Sequence, residues 1–257
     1  MDSVTEIHSN VKPIVLEAGE IARRWFGKTD VVRIKPGFDP VTQADEEIEK
    51  FVRDSIASIY ADHGFITEEN ADHAADADYV WILDPIDGTK YFACEIPLYS
   101  ICLALNHRGK TVLGMVYDPQ SNQFYEASNG RAVLNDRPIQ VSSITSLDEC
   151  IVGVEFPSRE FGEEVCSRAL RDFGILNQKC ARARILNTSG LDLAYCASGG
   201  FDAYVRLGFP TKPWDVSAGF FLVEQAGGTM LQEEHLGRIY GGPASICEQL
   251  SAVLAST

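Results

Sequence analysis

Hydrophobic residues recur every three to four positions through much of the first sixty residues of the chain. The pattern runs through residues 4–26 and returns through residues 48–59, so two helices with one apolar face each are predicted. Thr42 and Asp45 precede the second run with the spacing of a helix-capping pair. Pro13 lies inside the first run and predicts either a kink or the true start of that helix.

After His63-Gly64 the pattern changes to that of β-strands. Residues 79–83 form a continuous apolar run, which is typical of a strand buried on both faces. The segment Ser128-Asn129-Gly130 is a strong hairpin signal, and the prolines and glycine of residues 35–40 predict a loop. The central part is therefore predicted to be a meander of mostly antiparallel strands, at residues 65–67, 79–83, 99–105, 111–117, 122–127 and 132–141.

Strands and helices alternate in the second half of the chain. Strands are predicted at residues 150–156 and 203–207, and helices at 162–173, 187–199 and 215–227. The chain contains no linker rich in Pro, Gly or Ser and no internal repeat. Residues 1–257 are therefore predicted to form a single α/β unit, with two lobes of about residues 1–145 and 146–257.

Composition narrows the range of partners. The chain has 22 Lys and Arg against 37 Asp and Glu, a net charge of −15. No nucleic-acid or membrane partner is expected at this charge, whereas a small phosphorylated metabolite can bind where cations reverse the local sign. The chain lacks a membrane-spanning apolar run, a secretory signal and any CxxC pair among its seven cysteines. These features predict a cytoplasmic protein with reduced thiols.

The segment from Trp81 to Thr89 carries the most specific chemistry. A predicted buried strand runs into Asp84 and Asp87, and Gly88-Thr89 follow at once. Two carboxylates this close repel unless a cation joins them, and hard oxygen ligands favour Mg²⁺, Ca²⁺ or Mn²⁺. The backbone after Gly88 can approach phosphate oxygens, and a threonine hydroxyl can orient a water. Each residue alone also suits a polar turn, but the whole string favours a metal and phosphate site.

Two more acidic positions are candidates to complete this site. Glu68, followed by Glu69, ends the strand that precedes the Asp84 strand, and the ends of strands are where open α/β sheets place ligands. Asp215 lies at the start of a predicted helix, in the segment Trp214-Asp215-Val216-Ser217. The alternatives are a solvated pair of glutamates and a helix N-cap.

Four short motifs occur in a fixed order along the chain. They are Asp39-Pro40-Val41-Thr42-x-Ala44-Asp45, Glu68-Glu69, Asp84-Pro85-Ile86-Asp87-Gly88-Thr89 and Trp214-Asp215-x-x-Ala218-Gly219. In this order they resemble the motifs of the inositol monophosphatase-like superfamily of Mg²⁺-dependent, lithium-sensitive phosphatases. The resemblance covers nearly the whole chain. It implies an α/β (α+β) fold, a layered α-β-α-β-α sandwich of the sugar-phosphatase type, and a homodimer.

The resemblance also implies a set of metal ligands. Glu68, Asp84 and the carbonyl of Ile86 would hold a first Mg²⁺. Asp84, Asp87 and Asp215 would hold a second, and Asp87 and Asp215 would also contact the substrate. Two Mg²⁺ ions at such a site can bind a phosphoryl group and lower the pKa of a water, so no covalent nucleophile is needed.

Further residues are assigned by the same resemblance to the phosphate and the attacking water. Gly88 and Thr89 would bind the phosphate, and Thr188-Ser189 would face the substrate from a helix N-terminus. Glu68 and Thr89 would position the attacking water. Asp45 would stand behind that water and a loosely held third ion.

Departures from the family pattern concern the substrate. Tyr91 and Asn187 replace a family asparagine and glycine, and Lys90 resembles the nucleotide-phosphate members. Arg206 stands where the inositol-cleaving members carry a glutamate, and it could pair with a second phosphate or with a nearby acid of the protein. We therefore predict a Mg²⁺-dependent phosphomonoester hydrolase acting on a small polyol or sugar phosphate. The alternatives are a 3′(2′),5′-bisphosphate nucleotide, histidinol-phosphate or fructose-1,6-bisphosphate phosphatase, and a regulatory binding protein on the same fold.

Overall fold

The fold is known from a computed structural model, which describes residues 3–28, 30–35 and 39–255. The helices are α1 (Val4–Trp25), α2 (Gln43–Ile59), α3 (Thr89–Ala93), α4 (Glu163–Lys179), α5 (Ser189–Ala197), α6 (Pro213–Gln225) and α7 (Ala244–Ala255). The strands are β1 (Val31–Lys35), β2 (Asp39–Thr42), β3 (Gly64–Thr67), β4 (Tyr79–Asp87), β5 (Ser100–His107), β6 (Lys110–Asp118), β7 (Gln123–Ser128), β8 (Arg131–Leu134), β9 (Arg137–Pro138), β10 (Ile151–Glu155), β11 (Arg182–Arg184), β12 (Ala203–Arg206), β13 (Thr229–Glu233) and β14 (Arg238–Gly242).

A seven-stranded sheet forms the first half of the fold, in the order β3-β4-β5-β6-β7-β8-β9. β3 is parallel to β4, and every later neighbour is antiparallel, which confirms the predicted meander. Asn129 and Gly130 both have positive φ, as a two-residue hairpin turn requires. The apolar faces of α1 and α2 cover one side of this sheet and share a hydrophobic core with β4, β5 and β6.

A five-stranded sheet of order β11-β10-β12-β14-β13 forms the second half. α4 and α7 pack on its outer face, and α5 and α6 lie between the two sheets, in a core that both sheets share. Gly219 permits this packing because a Cβ there would lie 2.5 Å from Leu193. The layers are thus α-β-α-β-α, which confirms the predicted sandwich. Among the described residues, no helix has the length and apolar character needed to span a bilayer.

Several sequence predictions need correction. Strands β1 and β2 occupy both ends of the predicted loop at residues 35–40, and residues 36–38 lie outside the described part. α1 begins at Val4, where Ser3 forms a capping box, so Pro13 lies within the helix and does not start it. The predicted strand 132–141 is divided between β8 and β9, and the helix predicted to end at residue 173 continues to Lys179. The division into two lobes remains a prediction.

Candidate active site

One cavity of about 870 Å³ lies where β3 and β4 end and α5 and α6 begin. Its wall contains most of the residues predicted from the sequence: Glu68, Asp84, Ile86, Asp87, Gly88, Thr89, Ser189, Arg206 and Asp215. Two predicted residues, Asp45 and Thr188, are buried behind this wall and do not line it. The fold therefore brings together residues that lie up to about 150 positions apart in the chain.

The parallel pairing of β3 with β4 sets two of the carboxylates side by side. Thr67 is paired with Leu83, so Glu68, just past the end of β3, comes level with Asp84 within β4. Asp84 is 3% exposed, and its Oδ1 atom is buried without a hydrogen-bond partner. Burial raises the pKa of Asp84 well above its usual range, and the nearby negative charges of Glu68 and Asp87 raise it further.

Asp87 and Asp215 are the other two predicted metal-ligand carboxylates of the wall. Asp87 Oδ2 accepts hydrogen bonds from the Gly190 amide at 2.9 Å and the Ser100 hydroxyl at 3.2 Å. Burial, and then the charge of Asp215, raise the pKa of Asp87 to about 8. Asp215 is the third residue of α6, so it is not the N-cap; Lys212 holds that position and donates its amide to Asp215 at 3.3 Å. Burial raises the pKa of Asp215 to about 6.

Gly88 and Thr89 form a tight turn between β4 and α3. Gly88 has φ +95°, and a Cβ there would lie 2.7 Å from the carbonyl oxygen of Leu98, so only glycine fits. Thr89 Oγ1 donates to the Ile86 carbonyl at 2.8 Å. The Thr89 hydroxyl and the Ile86 carbonyl, both predicted to act at the site, are thus hydrogen-bonded to each other.

Asp45 is held behind this turn by the capping box predicted from the sequence. Its Oδ2 accepts from the amide of Thr42 at 2.9 Å and from the Thr42 hydroxyl at 2.5 Å. Its Oδ1 lies 3.4 Å from the hydroxyl of Thr89. Burial raises the pKa of Asp45 to about 7, so the group can exchange a proton near neutral pH.

The donor set fits a hard divalent cation. All of the grouped ligands are oxygens, and the unpartnered Oδ1 of Asp84 is the kind of buried atom that a cation would satisfy. In residues 3–28, 30–35 and 39–255, no three acidic, imidazole or thiol side chains already converge on one point. The ammonium of Lys35 lies 2.7 Å from Glu68 and 2.8 Å from Glu69. Metal binding through Glu68 would therefore require this ammonium to move.

Arg206 is paired inside the protein. Its Nη1 atom donates to Glu155 at 2.6 Å, and the residue is 3% exposed. Although burial lowers the pKa of an arginine, the charge of Glu155 leaves the pKa of Arg206 raised. Glu155 was not singled out in the sequence; the available signal was a single acid that closes an otherwise apolar strand.

The cavity wall also contains aromatic and basic side chains, of which only Lys90, Tyr91 and Trp214 were named from the sequence. The cavity wall includes Tyr91, Phe156, Phe161, Phe209, Trp214, Lys35, Lys90 and Lys212. The rings of Phe161 and Phe209 lie 5.1 Å apart, and the Tyr91 hydroxyl donates to the Leu186 carbonyl at 2.5 Å. They come from β1, α3, α6 and the segments between elements, so no single local spacing relates the whole set.

Comparison with known proteins gives concordant results. Residues 3–256 match the sequence model of the inositol monophosphatase family. The Nus factor SuhB of Salmonella typhimurium is 33% identical over 216 residues, which cover 82% of this chain and 79% of SuhB. The crystal structure of extragenic suppressor protein SuhB from Bartonella henselae has a TM-score of 0.90, with 27% identity over 97% of this chain and 98% of that one.

An inositol monophosphatase structure from Thermotoga maritima has a TM-score of 0.87, with 27% identity over 98% of both chains. The family match extends over nearly the whole sequence, and the structural match extends over nearly the whole fold. The chain therefore belongs to the inositol monophosphatase family.

Proposed function

We propose that this chain is a Mg²⁺-dependent phosphomonoester hydrolase whose substrate is a small polyol or sugar phosphate. The observation that carries the proposal is the unpartnered carboxylate oxygen of Asp84, buried among acidic neighbours in the wall of the main cavity. Buried carboxylates without cations are unfavourable in a protein, and a bound divalent ion would compensate for their charge. Family membership supports the same reaction.

The proposed metal ligands all come from the cavity wall. Glu68, Asp84 and the Ile86 carbonyl would hold one Mg²⁺, and Asp84, Asp87 and Asp215 would hold a second. Bound Mg²⁺ would neutralise the phosphoryl oxygens and lower the pKa of a water molecule. A third, loosely held ion near Asp45 has less support than the other two ions, because Asp45 does not line the cavity.

The chain's own groups would bind the phosphate and orient the water. Gly88, Thr89 and Ser189, the first residue of α5, line this cavity, and a helix N-terminus favours an anion. Thr89 Oγ1 is suited to hold the water. Its hydroxyl donates to the Ile86 carbonyl at 2.8 Å, and once that carbonyl binds a metal the hydroxyl could donate to Asp45 Oδ1, 3.4 Å away. Glu68 would hold the water from the other strand end.

The finer properties extend the same proposal. We propose a cytoplasmic homodimer, inhibited by lithium, as the family resemblance implies. Among the alternative substrates, a 3′(2′),5′-bisphosphate nucleotide loses support because Arg206 is already paired with Glu155 at 2.6 Å. Histidinol phosphate and fructose 1,6-bisphosphate remain alternatives.

A second candidate is a regulatory binding protein on the same fold. The name of the Salmonella relative, a Nus factor, favours considering it. Phosphate release with Mg²⁺ from inositol 1-phosphate, adenosine 3′,5′-bisphosphate, fructose 1,6-bisphosphate and histidinol phosphate, each with and without lithium, separates the two. A preferred substrate supports the hydrolase. Bound Mg²⁺ without any release would favour the regulatory protein.

A further inference from the structure

Glu155 is a buried carboxylate of the cavity wall to which the proposed reaction gives no part. It is the last residue of β10, and the parallel pairing of β10 with β12 sets it beside Arg206. Its Oε2 atom accepts from Arg206 Nη1 at 2.6 Å and from the Tyr204 hydroxyl, and its Oε1 atom accepts from the Ser189 hydroxyl. Three donors therefore fix this carboxylate in one position.

The guanidinium of Arg206 is held on several sides. Its Nη2 atom donates to the Pro210 carbonyl at 2.9 Å and lies 3.7 Å from Asp215 Oδ2. The face of the guanidinium lies 4.0 Å from the ring centre of Phe209. With two carboxylates beside it, the positive charge of Arg206 is balanced by the protein itself.

Glu155 also connects Arg206 to the start of α5 and, through it, to Asp87. Ser189, whose hydroxyl it binds, is the first residue of α5. The next amide, that of Gly190, donates to Asp87 at 2.9 Å. A change at Glu155 would therefore reach both the guanidinium and the helix start.

We propose that Glu155 is a positioning and specificity-determining residue, which neutralises Arg206 and fixes it as cavity wall so that substrates with a second anionic group gain nothing from it. This inference rests on the proposed phosphatase function. Removing the charge of Glu155 would leave a guanidinium in the cavity wall with only Asp215 as an acidic neighbour. A second phosphate on the substrate could then pair with it, because arginine binds phosphate in a two-pronged geometry.

The test compares two substrates that differ by one phosphate, adenosine 3′-phosphate and adenosine 3′,5′-bisphosphate. Glu155→Gln should raise the ratio of kcat/KM for the bisphosphate over the monophosphate by about tenfold, mainly through KM. Glu160→Gln is the matched control, because Glu160 lines the same cavity but accepts a hydrogen bond from the Ser158 hydroxyl instead of from Arg206. An equal rise in both variants would mean a general charge effect and would overturn the proposal.

The double variant Glu155→Gln/Arg206→Gln should return the ratio to the wild-type value. A ratio that stays high without Arg206 contradicts the proposal, and so does an unchanged ratio in folded Glu155→Gln protein. If Glu155→Gln does not fold, Arg206→Gln alone decides the question. It should leave the ratio unchanged, whereas a selective loss of the bisphosphate substrate would show that Arg206 already binds the second phosphate.

Two different results would contradict the proposed phosphatase function and the role proposed for Glu155. If the wild type hydrolyses none of the four panel substrates and neither nucleotide, the phosphatase proposal fails. The two nucleotides can then be titrated as ligands by calorimetry. Tighter binding of the bisphosphate by Glu155→Gln, lost again in the double variant, would retain the specificity inference. No difference between wild type and Glu155→Gln would overturn it.

Discussion

Two buried carboxylates in different regions of the molecule are compensated in different ways. On the outer side of the five-stranded sheet, Asp172 of α4 accepts two bonds from Arg238, at 2.8 and 2.9 Å. Within β4 of the seven-stranded sheet, Asp84 has acidic neighbours, and one of its oxygens has no hydrogen-bond partner. The two carboxylates are buried alike, at 2% and 3% exposure.

The difference distinguishes a buried carboxylate whose charge is neutralised within the fold from one whose charge a bound cation would neutralise. Burial raises the pKa of both carboxylates, but Arg238 opposes the rise at Asp172, whereas the charges of Glu68 and Asp87 add to it at Asp84, which destabilises the folded state unless a cation binds. Asp192 on α5 is buried near the same cavity: burial raises its pKa and the charges of Glu155 and Asp87 raise it further, while backbone hydrogen bonds from Thr188 and Asn187 lower it. Asp84 and Asp192 thus both have acidic groups, and no basic group, among the causes of their pKa shifts.

Asp84→Asn should have the largest effect. Phosphate release should fall by about 10³-fold or more, because the residue shared by both proposed metal positions loses its charge. Stability in EDTA should rise, because an unfavourable buried charge is removed. Phosphate release and thermal unfolding measure the two effects. The exposed Asp76→Asn is the control, and wild-type turnover by Asp84→Asn would refute the two-metal proposal.

Asp172→Asn should show the opposite pattern. Removing the two-pronged partner of the buried Arg238, which keeps Glu233 at 3.8 Å as an acidic neighbour, should cost about 3 kcal/mol of unfolding free energy, measured by urea denaturation. KM and the turnover of the folded fraction should not change, because the pair lies outside the cavity. The exposed neighbour Arg171→Gln serves as the control. A loss of unfolding free energy below about 1 kcal/mol would mean that the pair of Asp172 and Arg238 adds little stability, and the difference from Asp84 would disappear.

Magnesium should stabilise the wild type. At a concentration of 100 times its Kd, a ligand that binds only the folded state adds about 2.7 kcal/mol. The gain should disappear in Asp84→Asn and persist in Asp172→Asn. NaCl at matched ionic strength controls for screening of the net charge of −15. Equal stabilisation by NaCl would contradict a specific metal site.

The comparison also explains what the sequence could predict. The turn from Asp84 to Thr89 and the capping box of Thr42 and Asp45 depend on residues at most five positions apart, so local spacing was sufficient. The pair of Glu155 and Arg206 spans 51 positions and depends on the register of two parallel strands. Nothing local encodes that register, so Arg206 remained open to two interpretations.

Exposure explains the missed hairpin of β1 and β2. Val31 and Ile34 are 45% and 65% exposed, and every β1 residue up to Ile34 is exposed. A strand without a buried face has no alternation of apolar and polar residues to reveal it. Lys35 at the end of this strand was missed for the same reason, although it reaches Glu68.

Glu126 tests whether the contrast belongs to the cavity or to the seven-stranded sheet as a whole. It lies on β7 of that sheet and is 4% exposed, yet it is paired with Lys12 at 2.8 Å and His8 at 2.6 Å. Burial alone would raise its pKa, but these two partners lower it below the usual 4.5. A buried acid of the same sheet, away from the main cavity, is thus compensated by the protein itself.

The smallest expected effect follows from this pairing. Because the folded-state pKa of Glu126 lies below that of the unfolded chain, its stabilisation is fully present above pH 4.5 and is lost as the pH falls through the folded-state value. Glu126→Gln should therefore lower the unfolding free energy by about 1–2 kcal/mol at pH 7, and by progressively less below pH 4.5. Urea denaturation at several pH values measures this, with the exposed Glu234→Gln as control. A loss independent of pH would mean that Glu126 contributes through packing and not through its charge. Uncompensated carboxylates would then be a property of the seven-stranded sheet and not of the cavity.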